Sequence, residues 1–408
     1  MKSVLETLRE RGFIEQATSE ELGAVLQKPV AVYVGFDPTA DSLHLGNLLG
    51  IMALAWMQRA GHKPVVVLGG ATGRIGDPSG KSVERPLLAD AAIDFNVIRL
   101  KGFFERILHE PVVVNNNDWL GSFPLVSFLR DVGKQFRVGV MLSKEMVRNR
   151  LNSEEGISYT EFSYQILQGY DFVHLNRAMG VTVQMGGSDQ WGNIVSGIEL
   201  SRKMGGAPLF GMTWPLLTRS DGKKFGKSEE GAIWLEADRL SPYHLYQYLV
   251  RLPDADVGKC LRLLTFLPLA EIRALEGSRE PNVAQRKLAE EVTRFIHGDE
   301  GLQAALKATQ GLAPGKEAEL SAEALRELTP VELPREEVVG AKFSDVMVRV
   351  GLVASKGEAT RLIQQGGAYA NNRKIGDMHA VIVVGDLIEG EYLLLSAGKK
   401  KRLLVRIR

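Results

Sequence analysis

The sequence predicts an α/β protein built on a parallel sheet that helices cover on both faces. Two observations carry this reading. Four short, unbroken apolar runs, "VAVYVGF", "KPVVVLGG", "PVVVNNN" and "VTVQMGG", occur in the first half of the chain. Runs this short and rich in β-branched residues fit strands buried on both sides. Between them lie amphipathic helical stretches such as Leu48–Ala60, ended by Gly61, which is well placed as the residue after a helix C-cap. Strand and helix in alternation is the signature of a layered α/β sheet.

The remaining elements follow in order. From Ser241 to about Gly311 the pattern is helical only, beginning "SPYHLYQYLVRL" with Pro242 in a first turn. Residues 311–340 carry Pro314, Pro330 and Pro334 among many glutamates and read as a linker. Residues 341–408 read as short helices followed by strands such as "HAVIVV" and "LLVRIR". The expected domains are 1–220 (parallel sheet), 221–240 (loop and connection), 241–320 (helical), 321–340 (linker) and 341–408 (a small α+β domain). No internal repeat is visible.

A chain of 408 residues exceeds one ordinary core. Its longest apolar run, Leu48–Met57, is far short of the ~20 residues that span a bilayer. The charged start "MKSVLETLRERGFIEQATSEEL" lacks the apolar core of a secretory signal. One cysteine, Cys260, excludes an internal disulfide framework and fits a reducing compartment, so a cytoplasmic location is expected. Net charge is +1, yet residues 341–408 hold twelve Lys or Arg against six Asp or Glu. A basic end on an acidic body suggests a polyanionic partner there.

In open parallel sheets ligands bind beyond the carboxyl ends of the strands. "FDPTADSLHLGN" falls at such a place: Thr39, His44 and Asn47 belong to a strand–helix loop, and Gly46 lets backbone approach a ligand. Helix N-terminal N–H groups favour anions, which suits a triphosphate. "GGATGRIGDPSGKS" invites a phosphate-loop reading, but that spacing needs a glycine where Ile75 stands. Asp77 there suits a cationic amine instead. In "SDGKKFGKS", Lys224 and Lys227 flank Gly226 and are suited to close over phosphates. "YTEFSYQILQGYD" puts Tyr164, Gln168 and Asp171 on one helix face, and "QMGGSDQWGN" adds Asp189 and Gln190. The seven histidines are scattered and no metal-ligand spacing occurs.

Taken in order, these stretches resemble the bacterial tyrosyl-tRNA synthetases, a class I aminoacyl-tRNA synthetase family, over essentially the whole chain. "HLGN" matches the signature HIGH and "KFGKS" matches KMSKS; "GGATGRIGDPSGK", "YTEFSYQILQGYDF" and "GGSDQWGN" are closely similar to tyrosine-specific members. "FSDVMVRVGLVASKGEATRLIQQGGAYANNRKI" resembles a ribosomal-protein-S-four-like RNA-binding domain, joined through a helical anticodon-side domain. The resemblance implies a Rossmann-like catalytic domain and a two-step reaction: tyrosine and ATP give tyrosyl-adenylate and pyrophosphate, then tyrosine passes to tRNA(Tyr). It implies Tyr33 and Asp171 at the tyrosine phenol, Asp77, Tyr164 and Gln168 at its ammonium, and Gln190 near its carboxylate. Gly35, Asp37, Gly46, Gly187, Asp189 and Lys227 would surround ATP, with Asp189 and Asn47 by the ribose. Thr39 and His44 would meet the γ-phosphate, and Lys224, Lys227, Lys81 and Arg85 would close over pyrophosphate. Lys356, Arg361, Arg373 and Lys374 would meet RNA, with "KKKR" at 399–402 adding charge. ATP would arrive with Mg²⁺, with no tightly bound metal or organic cofactor, no membrane partner, and a homodimer as the assembly.

The carboxylate of tyrosine is already a nucleophile, so such a site needs in-line positioning and charge stabilisation and no catalytic base. The one departure is Asn47, where most tyrosine members have His; asparagine keeps a donor but never becomes cationic. Three rivals stand beside this reading: a tryptophan-specific synthetase, a non-catalytic RNA-binding protein on the same body, and a small-molecule nucleotidyltransferase.

Overall fold

The apolar runs become strands because each is buried on both faces. The computed structural model describes residues 2–79, 86–220, 222, 225–228, 231–315, 320–398 and 401–408. The chain divides into two compact units, Met1–Arg239 with Leu252–Leu288, and Leu240–Arg251 with Ala289–Arg408.

The first unit holds a six-stranded sheet of β1 (Gln16–Ala17), β2 (Ala31–Phe36), β3 (Lys63–Leu68), β4 (Val112–Asn115), β5 (Val181–Gly187) and β6 (Phe210–Trp214), in the order β1-β6-β5-β2-β3-β4. β2 to β6 run parallel; β1 is antiparallel to β6. Val32, Val34, Val65 and Val66 are fully or almost fully buried, as a sheet covered on both faces requires. The chain proceeds outward from β2 through β3 to β4, then returns to lay β5 on the other side of β2. That reversal opens a crevice at the carboxyl ends of β2 and β5. Two strands escaped the sequence reading. β1 has only two residues, and β6 ("FGMTW") has glycine and methionine where the other strands have β-branched residues.

Four helices frame the crevice: α1 (Leu48–Arg59), α2 (Asp90–Ile107), α3 (Tyr159–Met179) and α4 (Trp191–Lys203). α1 is buried nearly all round, which its apolar sequence permits. Ala60 caps it and Gly61 follows at φ 88°. A tight 3₁₀ turn, Leu45–Asn47, precedes it in place of a first α-helical turn. α3 begins at Ser158, whose side chain accepts from the Glu161 N–H, and ends at Gly180 in the left-handed conformation.

Two buried arginines fasten this unit. Arg11, 3% exposed, donates to the carbonyls of Arg262 (2.8 Å), Thr265 (2.6 Å) and Leu267 (2.8 Å), and its guanidinium lies 4.7 Å from the Trp56 ring centre. Arg150 makes a bidentate pair with Glu161 at 3.0 and 2.7 Å and donates to the Gly156 carbonyl, tying the segment before α3 to its first turn.

The second unit carries a five-stranded sheet of β9 (Pro330–Leu333), β10 (Ala368–Ala370), β11 (Arg373–Lys374), β12 (Tyr392–Ala397) and β13 (Lys401–Ile407), ordered β11-β10-β12-β13-β9. (β7, Lys227–Ser228, and β8, Gly231–Ala232, form a separate hairpin in the first unit.) Helices Phe343–Arg349 and Lys356–Gln364 pack on this sheet through Met347, Ala359 and Ile363 against Leu393, Leu395 and Val405. Helix Pro242–Val250 starts as expected, with Ser241 as its cap and Pro242 in the first turn. Two expectations are corrected. Residues expected as a linker contain β9, which pairs parallel to β13 and so belongs to the sheet. "HAVIVV" is no strand: of its valines and isoleucine only Ile382 is buried, and Val381, Val383 and Val384 stay about half exposed. Asp386 takes the Val383 N–H at 2.8 Å and turns the chain there.

Removing one partner of a buried pair leaves an uncompensated charge, so Glu161→Ala should cost about 3–5 kcal/mol of unfolding free energy in urea. A loss below about 1 kcal/mol would show that the Arg150 pair does not hold the start of α3.

Candidate active site

β2 and β5 deliver the floor of the crevice and α3 its wall. Tyr33 in β2 is 1% exposed, and its ring meets Phe172 of α3 edge-on at 5.3 Å. Its hydroxyl is buried with no hydrogen-bond partner among the described residues. Burial, followed by the negative Asp171, holds the Tyr33 phenol well above its ordinary value. Asp171, 3% exposed, accepts from Trp119 Nε1 at 2.8 Å and from Asn116 Nδ2 at 3.0 Å. Burial outweighs these two donors and pushes its carboxyl up to about 7.

The same chain of bonds runs on. Asn116 Nδ2 also donates to Thr72 Oγ1 (2.9 Å) and its Oδ1 accepts the Ala71 N–H (2.8 Å). Thr72 donates to Asp37 Oδ1 at 2.8 Å, and the Tyr164 hydroxyl donates to Asp37 Oδ2 at 3.0 Å. Burial and the carboxylates of Asp37, Asp77 and Asp171 together raise the Tyr164 phenol. Three carboxylates around one buried phenol make a field that draws a cation. A second group adjoins it. Gln190 Nε2 donates to Asp77 Oδ2 at 2.7 Å, while Gln190 Oε1 accepts from Gln168 Nε2 and Asn193 Nδ2, both at 3.3 Å. Asp77 Oδ1 also accepts the Ser79 N–H at 2.9 Å. Asn193, on α4, donates as well to Ser79 Oγ at 3.4 Å.

The histidine turn lies beyond β2. His44 Nδ1 accepts the Gly46 N–H at 3.1 Å, and Asn47 Oδ1 accepts the His44 N–H at 3.0 Å. An acceptor at Nδ1 fixes the neutral tautomer with its proton on Nε2. The bond to Asn47 leaves that side chain's NH₂ as the group with hydrogens to offer. The connection after the β7–β8 hairpin docks on this turn: Leu45 N donates to Ile233 O (2.7 Å), Leu235 N to Leu43 O (2.9 Å), and Ile233 N to Gly226 O (2.9 Å). A Cβ on Gly226 would stand 2.8 Å from Gly46 N, and Gly226 has φ 80°. So the two signature stretches touch through backbone, and a glycine is required at the contact.

The crevice thus gathers Tyr33, Asp37, Asp77, Tyr164, Gln168, Asp171 and Gln190 through hydrogen bonds or electrostatic fields, with His44, Gly46 and Asn47 as a second cluster. Gly35 and Thr39 are exposed at the end of β2, where Thr39 N donates to Asp37 O at 2.9 Å. Gly187 closes β5, and Asp189 and Gln190 form the turn into α4. Lys81, Arg85 and Lys224 lie outside the described residues, and of Lys227 only the backbone, in β7, is described. Among the described residues no group of three or more His, Cys, Asp or Glu is placed to hold a metal. In the second unit Lys356, Arg361, Arg373 and Lys374 are exposed, with Lys356 paired to Asp345 at 2.9 Å. Residues 399–400 lie outside the described ones, and Arg402, expected to add surface charge, instead donates to the Leu312 carbonyl at 2.6 Å.

Sequence reasoning missed Thr72, Asn116, Trp119 and Asn193. For Asn116 and Trp119 the polar run "NNNDW" at the end of β4 was the available signal, since strand ends face the crevice.

Similarity to known proteins agrees with this geometry. A family model described as tRNA synthetases class I (W and Y) matches residues 26–312, and one described as a tyrosine–tRNA ligase SYY-like C-terminal domain matches 323–405. The chain is 52% identical to a tyrosine–tRNA ligase of Protochlamydia amoebophila, over 100% of this chain and 99% of that protein. It is 49% identical to a chloroplastic/mitochondrial tyrosine–tRNA ligase of Arabidopsis thaliana, over 99% of this chain and 84% of that protein. A crystal structure of a C-terminally truncated mitochondrial tyrosyl-tRNA synthetase from Aspergillus nidulans superposes with a TM-score of 0.66 at 36% identity, covering 75% of this chain and 92% of that one.

Asp171 titrates near 7 in the fold against about 4 in an unfolded chain. Its contribution to stability is therefore fully present below about pH 4 and is lost as pH rises through 7. Relative to the parent, Asp171→Asn should gain roughly 4 kcal/mol between pH 4 and pH 8 in denaturant titrations. Parallel pH profiles for the two proteins would refute the buried-carboxyl account.

Proposed function

The chain belongs to the class I tyrosyl-tRNA synthetases and is a tyrosine–tRNA ligase; we propose that its residues divide that reaction as follows. Tyr33 and Asp171 bracket the phenol of L-tyrosine. The observation that carries this is the buried, partnerless Tyr33 hydroxyl set in the field of Asp171. A phenol entering there satisfies the Tyr33 hydroxyl and adds a donor to the carboxylate; phenylalanine leaves the Tyr33 hydroxyl unpaired, at about 1–3 kcal/mol for a buried polar group, and Asp171 with only Trp119 and Asn116. Asp77, Tyr164 and Gln168 hold the ammonium, drawn in by the three carboxylates around Tyr164. Gln190, braced by Asp77 and Asn193, faces the carboxylate of tyrosine.

That carboxylate attacks the α-phosphorus of ATP in line, and pyrophosphate leaves with the bonding pair. His44, with its proton on Nε2, and Thr39 donate to the γ-phosphate side as charge builds on the leaving group. Asn47 and Asp189 hold the ribose, with Gly35, Asp37, Gly46 and Gly187 shaping the nucleotide's surroundings. Lys224 and Lys227, with Lys81 and Arg85, neutralise pyrophosphate. Mg²⁺ enters as part of the ATP substrate, bridging phosphate oxygens. In the second step a ribose hydroxyl at the 3′ end of tRNA(Tyr) attacks the adenylate carbonyl and AMP departs.

Lys356, Arg361, Arg373 and Lys374 meet tRNA phosphates, giving an affinity that falls with salt. The working assembly is a homodimer: Leu125, Val126, Val138, Val140 and Tyr159, all more than half exposed, crowd into residues 125–159. Apolar side chains at that density fit burial against a second copy. No helix is long and apolar enough to cross a membrane among the described residues. The single cysteine, Cys260, fits a reducing compartment, and the cytoplasm is the location proposed on that ground.

ATP–pyrophosphate exchange should depend on tyrosine and be insensitive to tryptophan and phenylalanine; exchange supported by tryptophan alone would overturn the specificity. His44→Ala should lower the single-turnover rate of adenylate formation about 100-fold while changing the tyrosine dissociation constant less than about threefold. An unchanged rate would remove His44 from the phosphate site.

A further inference from the structure

Asp171 is held by two donors, and the two are secured differently. Asn116 is locked by its own bonds to Ala71 and Thr72. Trp119 is partly exposed, at the margin of the crevice, and its indole N–H makes one bond, to Asp171. One side of the indole packs on the core cluster that includes Tyr33 and Phe172, and a stack holds its ring plane as well. The His174 ring lies 4.4 Å from the Trp119 ring, with only 15° between the planes. His174 follows Asp171 by three residues on α3, so one helix face grips the indole twice, at its N–H edge and across its flat face. Tyr170 backs the imidazole at 6.3 Å and is itself wedged against Phe123 (5.3 Å) and Phe128 (6.2 Å).

We infer that His174 is a positioning residue for tyrosine selection: its ring sets the Trp119 indole so that the N–H meets Asp171, and through it the phenol-reading carboxylate keeps its aim. Without the stack the indole swings about its side-chain torsions, and Asp171 is left with Asn116 alone on one of its two oxygens. Held at one oxygen only, the carboxylate is less firmly oriented, and an incoming phenol meets a partner that is no longer aimed by two donors. ATP, bound at the histidine turn, is unaffected. The imidazole needs no charge for this role; burial depresses its protonation, which keeps it a neutral aromatic face. The inference rests on the reading of Asp171 as the phenol's partner.

The test uses the full-length protein in tyrosine-dependent ATP–pyrophosphate exchange. His174→Leu fills the space without offering a ring face, and His174→Phe restores one. His174→Leu should raise the KM for tyrosine about tenfold, leave the KM for ATP within about twofold, and narrow the preference for tyrosine over phenylalanine. His174→Phe should return the tyrosine KM to within about threefold of the parent. A tyrosine KM within twofold of the parent in His174→Leu, an ATP KM rising in step, or no recovery in His174→Phe would each overturn the positioning role. Asp171→Ala separates the two layers. If it raises the tyrosine KM while His174→Leu does not, only the positioning role is lost; if it leaves the KM unchanged, the phenol reading itself fails.

Discussion

Strands β2 and β5 lie side by side although the chain travels out through β3 and β4 before the second is laid down. Everything at the crevice hangs on that pairing. It sets Tyr33 beside Gln184 in register and points both strand ends at the same opening. It also positions the turn into α4, so that Gln190 reaches Asp77 from the far side. A sheet laid down in simple sequence order would scatter these groups along an edge. The shift in register between Ala31 and Val32 belongs to the same arrangement, since a one-residue offset decides which face each side chain takes.

The crevice concentrates polar groups in a dry interior. Asp171, Asn116 and Thr72 are buried polar groups joined in one chain of bonds, and Tyr33 offers a hydroxyl that nothing in the protein answers. Such a network is rigid while every member is satisfied and costly where one is not. Here the unsatisfied member is the Tyr33 hydroxyl. On the assignment of Tyr33 to the phenol proposed above, discrimination and local instability have the same origin, because the hydroxyl that costs the fold is the one a phenol would answer. The Arg150–Glu161 pair and the capped start of α3 supply rigidity next to that deficit.

Much of this was readable from residues alone, for reasons of periodicity. Tyr164, Gln168 and Asp171 stood out because three polar groups at helical spacing converge on one face of a helix. β2 to β5 announced themselves as unbroken β-branched runs. Asn116 and Trp119 did not, because each acts singly from a loop after a strand, and which neighbour a loop residue meets depends on the sheet order. His174 was equally silent, since its partner is remote in sequence. "HAVIVV" misled in the other direction: its composition favours a strand, but only Ile382 found a buried place and no neighbouring strand offered a full ladder. β9 was hidden by prolines and glutamates that an edge strand tolerates.

Arg11 gives the first unit a peculiar history in the cell. The arginine caps the helix Val4–Glu10, yet its three acceptors, at Arg262, Thr265 and Leu267, follow it by some 250 residues and are therefore made later. Until they emerge, a guanidinium destined for a dry interior has only water for company, and the amino-terminal helix has no reason to settle. Closure of this unit must therefore wait until the strands, the signature loops and the helix beyond them have all been synthesised.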